Sequence, residues 1–65
     1  MRIEKYVGCV VIMIYLDRRG KFSKREVRVQ SARDGLVRAF CLTTGAPRVF
    51  RIENILALEP VRHAG

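Results

Sequence analysis

The chain has 65 residues, of which 49% are hydrophobic, 13 are Lys or Arg and six are Asp or Glu, so its net charge is +7 at neutral pH. A domain of this length buries roughly 60% of the surface of its unfolded chain, which is too little for a deep cleft between two domains. Its hydrophobic content exceeds that of disordered, highly charged tails. The sequence therefore predicts one compact domain over residues 1–65 with its basic residues on the surface.

Arginine dominates the positive charge, because only Lys5, Lys21 and Lys24 are lysines. A guanidinium group offers a planar fork of donors that fits phosphate and stacks on bases, so the bias favours an anionic partner. A genome rich in G and C, whose codons favour Arg, gives the same composition. Composition alone does not separate these two explanations.

Residues that carry metal or enzyme chemistry are scarce. Cys9 and Cys41 lie far apart in apolar surroundings, and the single His is His63, near the C-terminal end, so the usual spacings of zinc ligands are missing. Two cysteines allow one disulfide, but reduced thiols acting as small buried hydrophobic residues are favoured. The carboxylates are scattered among Arg residues, where ion pairing is their ordinary role. We therefore expect no metal, no cofactor and no catalytic residue, and a protein that is not an enzyme.

An apolar run at residues 6–16 follows two basic residues, as the apolar part of a signal peptide does. No small-residue cleavage site follows the run, and it is well short of the ~20 residues that span a bilayer as a helix. We therefore interpret the run as a buried strand and expect a cytoplasmic protein with no membrane partner.

The first elements follow from spacing and composition. Ile3, Tyr6 and Val7 recur at helical spacing and predict a short helix within residues 2–8. Residues 9–16 are rich in Val and Ile on both parities, which is typical of a central strand covered on both faces. Asp at the first and Gly at the last position of residues 17–20 predict a type I turn.

A second strand is predicted at residues 23–30, because the side chains alternate there. Val27 and Val29 mark the buried parity, and Arg25 shares it near the start of the strand, where its head can reach the rim. Asp34 and Gly35 form a pair that favours a tight hairpin turn before a third strand at residues 36–43.

The fourth strand is predicted at residues 48–52, after a loop at residues 44–47 that contains Gly and Pro. It places Arg48 on the parity of its apolar residues and Arg51 on the other. A single helical turn at residues 53–54 then precedes a final strand at residues 55–61.

Five short strands joined by tight turns, in a chain too short for a two-sheet sandwich, predict an all-β domain. Our first choice is a five-stranded SH3-like or Sm-like barrel with a short N-terminal helix and one 3-10 turn before the last strand. An open meander gives nearly the same pattern. The expected core residues are Ile12, Ile14, Val27, Val29, Phe50 and Ile55.

These segments together resemble the WYL-domain family, small Sm-like barrels found mainly in bacterial regulators behind a helix-turn-helix domain. The first hairpin of that family is an apolar residue, any residue and Tyr, then an Asp and Gly turn and Ser-x-Arg, and it is similar to residues 14–27 here. Ala39-Phe40-Cys41 looks like the segment after the name-giving tripeptide. Residues 48–55 are similar to the closing Arg-x-Phe-Arg-x-x-Arg-Ile of the family, so the resemblance covers residues 12–55.

The chain also departs from the family pattern. Gly35-Leu36-Val37 stands where the family has Trp-Tyr-Leu, and Asn54 stands at the last Arg of the closing motif. The 65 residues hold no room for a helix-turn-helix domain. We therefore expect either a stand-alone WYL-like protein or a piece of a larger regulator.

The resemblance implies a non-catalytic regulatory or sensing module whose basic face binds single-stranded nucleic acid or a nucleotide-like anion. It assigns Arg25, Arg48 and Arg51 to that face. A second basic cluster comes from the residues themselves, because Arg18, Arg19 and Lys21 share one turn and can contact phosphates, with a solvated hairpin tip as the alternative.

Aromatic side chains that could support bases are few, and the candidates are Phe22 and Tyr15. Phe22 is nevertheless expected in the core, because a small domain needs every large apolar side chain there. The alternative function is a protein-interaction module with no nucleic-acid role, since the edge strands of a small barrel can pair with another chain. Free edges also lead us to expect a homodimer.

Overall fold

The computed structural model describes residues 3–61 and is all-β, with five antiparallel strands in one sheet and two short 3-10 helices. This confirms the predicted class, the short N-terminal helix and the helical turn before the last strand. No helix in this part of the chain is long and apolar enough to cross a membrane. The elements are a 3-10 helix Ile3–Tyr6, β1 (Val10–Leu16), β2 (Phe22–Arg33), β3 (Leu36–Cys41), β4 (Ala46–Arg51), a 3-10 helix Ile52–Asn54 and β5 (Ile55–Pro60), and the strand order is β4-β3-β2-β1-β5.

One face of the sheet, called the inner face below, carries the core. The buried core residues are Ile3, Val11, Met13, Val27, Val29, Val37, Ala39, Cys41, Phe50 and Ile55. The prediction was correct for four of them but wrong for Ile12 and Ile14, which are half-buried on the outer face. Apolar residues occupy both parities of β1, so alternation gave no direction there. The pairing of Val11 with Val27 decides it, because both side chains then enter the same core.

Both predicted hairpin turns are present. At the first, the Gly20 backbone N–H donates to the Asp17 carbonyl at 3.0 Å, and the Asp17 carboxylate accepts from the backbone N–H groups of Arg19 and Lys21, each at 2.9 Å. At the second, Asp34 and Gly35 have φ angles of 54° and 75°, the left-handed pair that a two-residue hairpin turn requires. These local signals therefore set the connections correctly.

β2 is longer than predicted, because it continues through residues 31–33 where we expected a loop. Val29 pairs with Ala39 and Ser31 pairs with Arg38, so Gln30 is an extra residue in β2. Such a bulge reverses the parity of the residues after it. Ala32 consequently packs against the core, whereas Ser31 lies on the outer face.

β4 also begins earlier than predicted, at Ala46, and includes Pro47 opposite Phe40. Proline removes a backbone donor, which excludes it from a central strand but not from an edge. β4 is the last strand on its side of the sheet, so the donor missing at Pro47 interrupts no further pairing.

The sheet is strongly curled, as contacts between β1 and β4 demonstrate. These strands are three positions apart, which is roughly 14 Å in a flat sheet. The rings of Tyr15 and Phe50 nevertheless meet edge to face with centroids 4.9 Å apart. The backbone N–H of Arg51 also donates to the Tyr15 hydroxyl at 3.1 Å. One side of the curled sheet is thus held together by side chains.

The segment before β1 covers part of the inner face. Ile3 is fully buried in the core and Tyr6 packs against it. The Gly8 N–H donates to the Val29 carbonyl at 2.8 Å, and the Val29 N–H donates to the Cys9 carbonyl at 3.0 Å. The N-terminal 3-10 helix is therefore anchored to β2 and adds to the core.

Replacement of Phe50 by Ala should destabilise the protein by roughly 3–5 kcal/mol, because the ring is buried and its removal leaves a cavity beside Tyr15. The free energy of unfolding, measured by urea denaturation, checks this. Val49→Ala is the matched control, since its side chain is 56% exposed on the same strand. A loss below about 1 kcal/mol for Phe50→Ala would contradict the buried position.

Candidate functional site

The arginines that the resemblance assigned to one face are divided between two faces of the sheet. Arg25 and Arg48 follow the parity of the core residues in β2 and β4, as predicted from alternation. Arg51 lies on the opposite face, where it is level with Leu36 of β3. Arg25 is half-buried, whereas Arg48 and Arg51 are exposed.

Arg25 is held in place by neutral or weakly acidic groups. Its Nε donates to the Ser23 hydroxyl at 3.3 Å, and its guanidinium lowers the pKa of the Cys41 thiol on the neighbouring strand. It forms no ion pair with any carboxylate of residues 3–61. The inner face therefore carries a half-buried, oriented cation without a carboxylate counter-charge.

Cys41 is fully buried in β3 next to this guanidinium. Burial raises the pKa of its thiol, but hydrogen bonds from the Thr44 hydroxyl and backbone, from Arg25 and from the Thr43 backbone favour the thiolate, so that the pKa falls from 9.0 to about 7. Cys41 and Arg25 are thus electrostatically linked. Sequence reasoning missed this partner because the two residues are far apart along the chain.

Arg48 lines a groove of about 220 Å³ together with Gln30, Arg38, Pro47 and Val49. Arg48 pairs with Ala39 of β3, which in turn pairs with Val29 of β2. Val29 lies four residues after Arg25, so the two arginines are at different levels of the sheet. Arg25 does not line this groove. The two inner-parity arginines accordingly present separate points of positive charge.

Arg51 forms an exposed ion pair on the outer face. Its guanidinium forms an ion pair with Glu53 at 3.5 Å, and both side chains are about two-thirds or more exposed (68% and 72%). An ion pair this exposed contributes little stability. A phosphate group could therefore replace Glu53 as the partner at small cost.

The basic tip of the first hairpin contains Arg18, Arg19 and Lys21, all exposed. The hydrogen bond from the Lys21 backbone, helped by that from the Arg19 backbone and by the nearby cations, lowers the pKa of Asp17 although desolvation opposes it. Phe22 follows the tip and is 68% exposed, so its expected place in the core is wrong. It pairs with Leu16 at the end of β1, beyond the reach of the core.

Sequence reasoning missed Arg33 and Arg38. Both line a groove of about 530 Å³ on the outer face, together with Ser31, Ala32, Asp34, Leu36 and Val49. Alternation in β3 was a sufficient signal that Arg38 points outward, but Arg33 was interpreted as part of a loop. Arg33 lies beside Leu36 because of the bulge at Gln30, and no residue pattern predicts that bulge.

The cysteines and the possible metal ligands do not form a common site within residues 3–61. Cys41 and Cys9 are both free, and Cys9 is exposed rather than buried as expected. Within residues 3–61 no group of three or more His, Cys, Asp or Glu side chains is arranged to hold a metal ion. His63 falls outside the described residues.

The surroundings of Cys41, first Thr44 and then Arg25 and Thr43, predict a thiol that ionises with a pKa of about 7 in the folded protein. Ultraviolet titration of the thiolate in a Cys9→Ser background measures it, and Arg25→Ala should raise the pKa. Because the folded pKa lies below 9.0, this thiol adds stability that is fully present above pH 9 and lost as the pH falls through about 7. Lys24→Ala is the control, and equal pKa values in Arg25→Ala and the parent would refute the contact.

Comparison with known proteins supports the fold. No protein-family model and no curated protein matches the chain. Among solved structures, the fold is similar to part of Proteasome accessory factor B/C (PafBC) of Arthrobacter aurescens, with a TM-score of 0.75 and 22% identity. The match covers 97% of this chain and 10% of that chain, so the chain spans about a tenth of the length of the protein it resembles.

Proposed function

We propose that the chain is a non-catalytic regulatory or sensing module that binds single-stranded nucleic acid through Arg25 and Arg48, with Arg51 as a further phosphate contact. The observation that carries this proposal is the state of Arg25, which is half-buried, oriented, and without an ion pair to any carboxylate of residues 3–61. A guanidinium without an opposite charge beside it keeps its hydrogen-bond donors available for an anion. A phosphate oxygen supplies that charge.

Preorganisation strengthens the case for Arg25. The hydrogen bond to the Ser23 hydroxyl restrains the guanidinium before any ligand arrives, so less side-chain entropy is lost on binding. This bond uses the Nε–H alone, and a guanidinium carries five N–H groups, so part of its fork of donors remains free. This is the geometry expected of a residue that recognises an anion rather than one that merely adds solubility.

Strand β4 supplies the other two contacts. Arg48 and Arg51 lie on opposite faces of this edge strand, and neither is covered by other residues. A flexible single strand can pass round such an edge, whereas a rigid duplex cannot follow it so closely. The exposed ion pair between Arg51 and Glu53 is a weak competitor for phosphate.

The hairpin tip extends the same function. Arg18, Arg19 and Lys21 can contact phosphates, and the exposed ring of Phe22 offers a platform on which a base can stack. Cations beside an exposed aromatic ring are the combination used by proteins that bind single strands. The tip thus contributes the aromatic surface that the inner face lacks.

The regulatory part of the proposal has two supports, the resemblance of residues 12–55 to the WYL-domain family and the similarity of the fold to part of PafBC. A small binding module regulates by changing the activity of the protein to which it is joined or bound. In this role, occupation of the arginines is the signal. A nucleotide-like anion would use the same contacts. The two ligands are distinguished by measuring how the affinity changes with the length of the oligonucleotide.

Docking of another protein is the second candidate function. Each edge strand contains one proline, but β5 carries one charge, Glu59, whereas β4 carries two arginines, so charge protects β5 less against pairing with another chain. A homodimer through this edge is one form of such docking. Apolar edge pairing is weakly affected by salt, whereas phosphate contacts are strongly affected.

Alanine substitution of Arg25 or Arg48 should weaken binding of a fluorescein-labelled oligothymidylate and lower the slope of log affinity against log salt by about 0.7 for each lost phosphate contact. Fluorescence anisotropy at several salt concentrations measures both quantities. The conservative variants Arg25→Lys and Arg48→Lys should keep most of the slope but lose affinity if paired hydrogen bonds matter.

Lys24→Ala is the matched control for these variants. It removes one charge from the same strand as Arg25, one residue away, on the opposite face and fully outside the proposed contacts. Equal losses for Lys24→Ala and Arg25→Ala would mean that the attraction is diffuse charge rather than a site. Binding that does not depend on salt would favour protein docking instead.

A further inference from the structure

The outer face of β2, β3 and β4 carries a regular pattern of arginines and apolar side chains. Across the three strands, one row consists of Arg28, Phe40 and Pro47. The next row consists of Ser31, Arg38 and Val49, and the last of Arg33, Leu36 and Arg51. Every row therefore combines at least one guanidinium with at least one apolar side chain.

Three of these residues form a diagonal line, called the arginine diagonal below: Arg28 on β2, Arg38 on β3 and Arg51 on β4. Each arginine lies on the next strand and in the next row of the outer face relative to the previous one. Diagonal neighbours on an antiparallel sheet lie about 7–8 Å apart, so the line crosses the sheet with even spacing. Evenly spaced cations suit a chain of evenly spaced anions better than a single small anion.

Apolar surface lies beside the diagonal. Leu36 and Val49 are 42% and 56% exposed, and both line the groove of about 530 Å³. Arg38 and Val49 also line the groove of about 220 Å³, so the two grooves meet at these residues. The larger groove is within the size range of small-molecule sites, which start at about 300 Å³.

The charges on this surface are largely free to bind a ligand. Among residues 3–61 the single ion pair is that between Arg51 and Glu53, so Arg28, Arg33 and Arg38 have no carboxylate partner. Asp34 lines the larger groove but pairs with none of them. The outer face thus combines unpaired guanidinium groups with exposed apolar side chains in a groove.

We infer that this outer face is a second binding surface for single-stranded nucleic acid, in which the arginine diagonal contacts successive phosphates and the grooves beside Arg38 receive the bases. The inference rests on the proposed function for the class of its ligand. It shares Arg51 with that site and Arg48 lines its smaller groove, but its remaining arginines lie on the other face of the sheet. Arg38 is its central residue, because it belongs to the diagonal and lines both grooves.

A nucleic acid fits this surface better than an acidic peptide. Guanidinium planes and apolar side chains both stack on bases, and single-stranded RNA is commonly recognised by bases stacked on aromatic rings or Arg planes over a sheet. Phe40, half-buried between Arg28 and Pro47, adds one ring to that surface. A carboxylate peptide would use the charges but leave the apolar positions unused.

Arg38→Ala should lower the affinity for a fluorescein-labelled oligothymidylate roughly tenfold, as expected for loss of a charged hydrogen-bonded contact, and reduce the salt slope by about 0.7. Arg38→Lys should recover the slope but not the full affinity, because Lys does not stack. Lys24→Ala, on the same face but outside the three rows, should bind as the parent does. A labelled acidic peptide of equal charge should bind more weakly than the oligonucleotide.

The outcomes separate this inference from the proposed function. If Arg25→Ala and Arg48→Ala weaken binding while Arg38→Ala does not, the inner site stands and the outer surface is refuted. If Arg38→Ala weakens binding and Arg25→Ala does not, the outer surface stands and the inner site is refuted. Equal affinity for the acidic peptide would overturn the outer surface as a nucleic-acid site, and absence of binding by the parent protein would overturn both proposals.

Discussion

The contact of Tyr15 with β4 is the interaction on which the shape of this protein depends. Backbone hydrogen bonds connect β4 to β3 and β5 to β1, but no strand pairing joins the two edges of the described sheet. The Tyr15 ring packs edge to face against Phe50, and the Tyr15 hydroxyl accepts a hydrogen bond from the Arg51 backbone N–H. One residue of β1 therefore contacts two successive residues of β4. The contact joins strands that a flat sheet would keep apart, and it thereby closes the core around Phe50.

The curling of the sheet determines how deeply each arginine side chain is buried. The side chains of β2 and β4 that point to the inner face converge on a small core. Arg25, on a central strand, is partly buried there, whereas Arg48, on the edge strand, stays exposed. Side chains on the other parity point away from the core, and Arg28, Arg38 and Arg51 are exposed there. β4 takes part in both surfaces, since it carries Arg48 on one face and Arg51 on the other. The Tyr15 contact holds this shared strand.

Turns, most strands and the parity of three arginines could be predicted from the sequence. Asp17, Gly20 and the Asp34-Gly35 pair have backbone preferences that are local, so neighbouring residues suffice to recognise them. Alternation also placed Arg25 and Arg48 correctly, because Arg25 shares its parity with the buried Val27 and Val29, and Arg48 shares its parity with the buried Phe50.

Features that depend on distant residues could not be predicted in this way. The inner face of β1 follows from its pairing with β2, since Ile12 and Met13 are equally apolar choices. The bulge at Gln30 places Arg33 in the outer groove, yet a bulge has no residue signature here. Phe22 is exposed because β2 begins beyond the core, and the Cys41 thiol comes near Arg25 only after β2 and β3 have paired.

A double-mutant cycle on Tyr15 and Phe50 tests the curled sheet most directly. The free energies of unfolding of Tyr15→Leu, Phe50→Leu and the double variant give the coupling between the two rings, and Leu keeps both positions apolar. The contact predicts a favourable coupling of about 0.5–1.5 kcal/mol, the range of edge-to-face aromatic pairs. Additive losses, with no coupling between the two positions, would contradict the contact and with it the curled sheet that places the arginines.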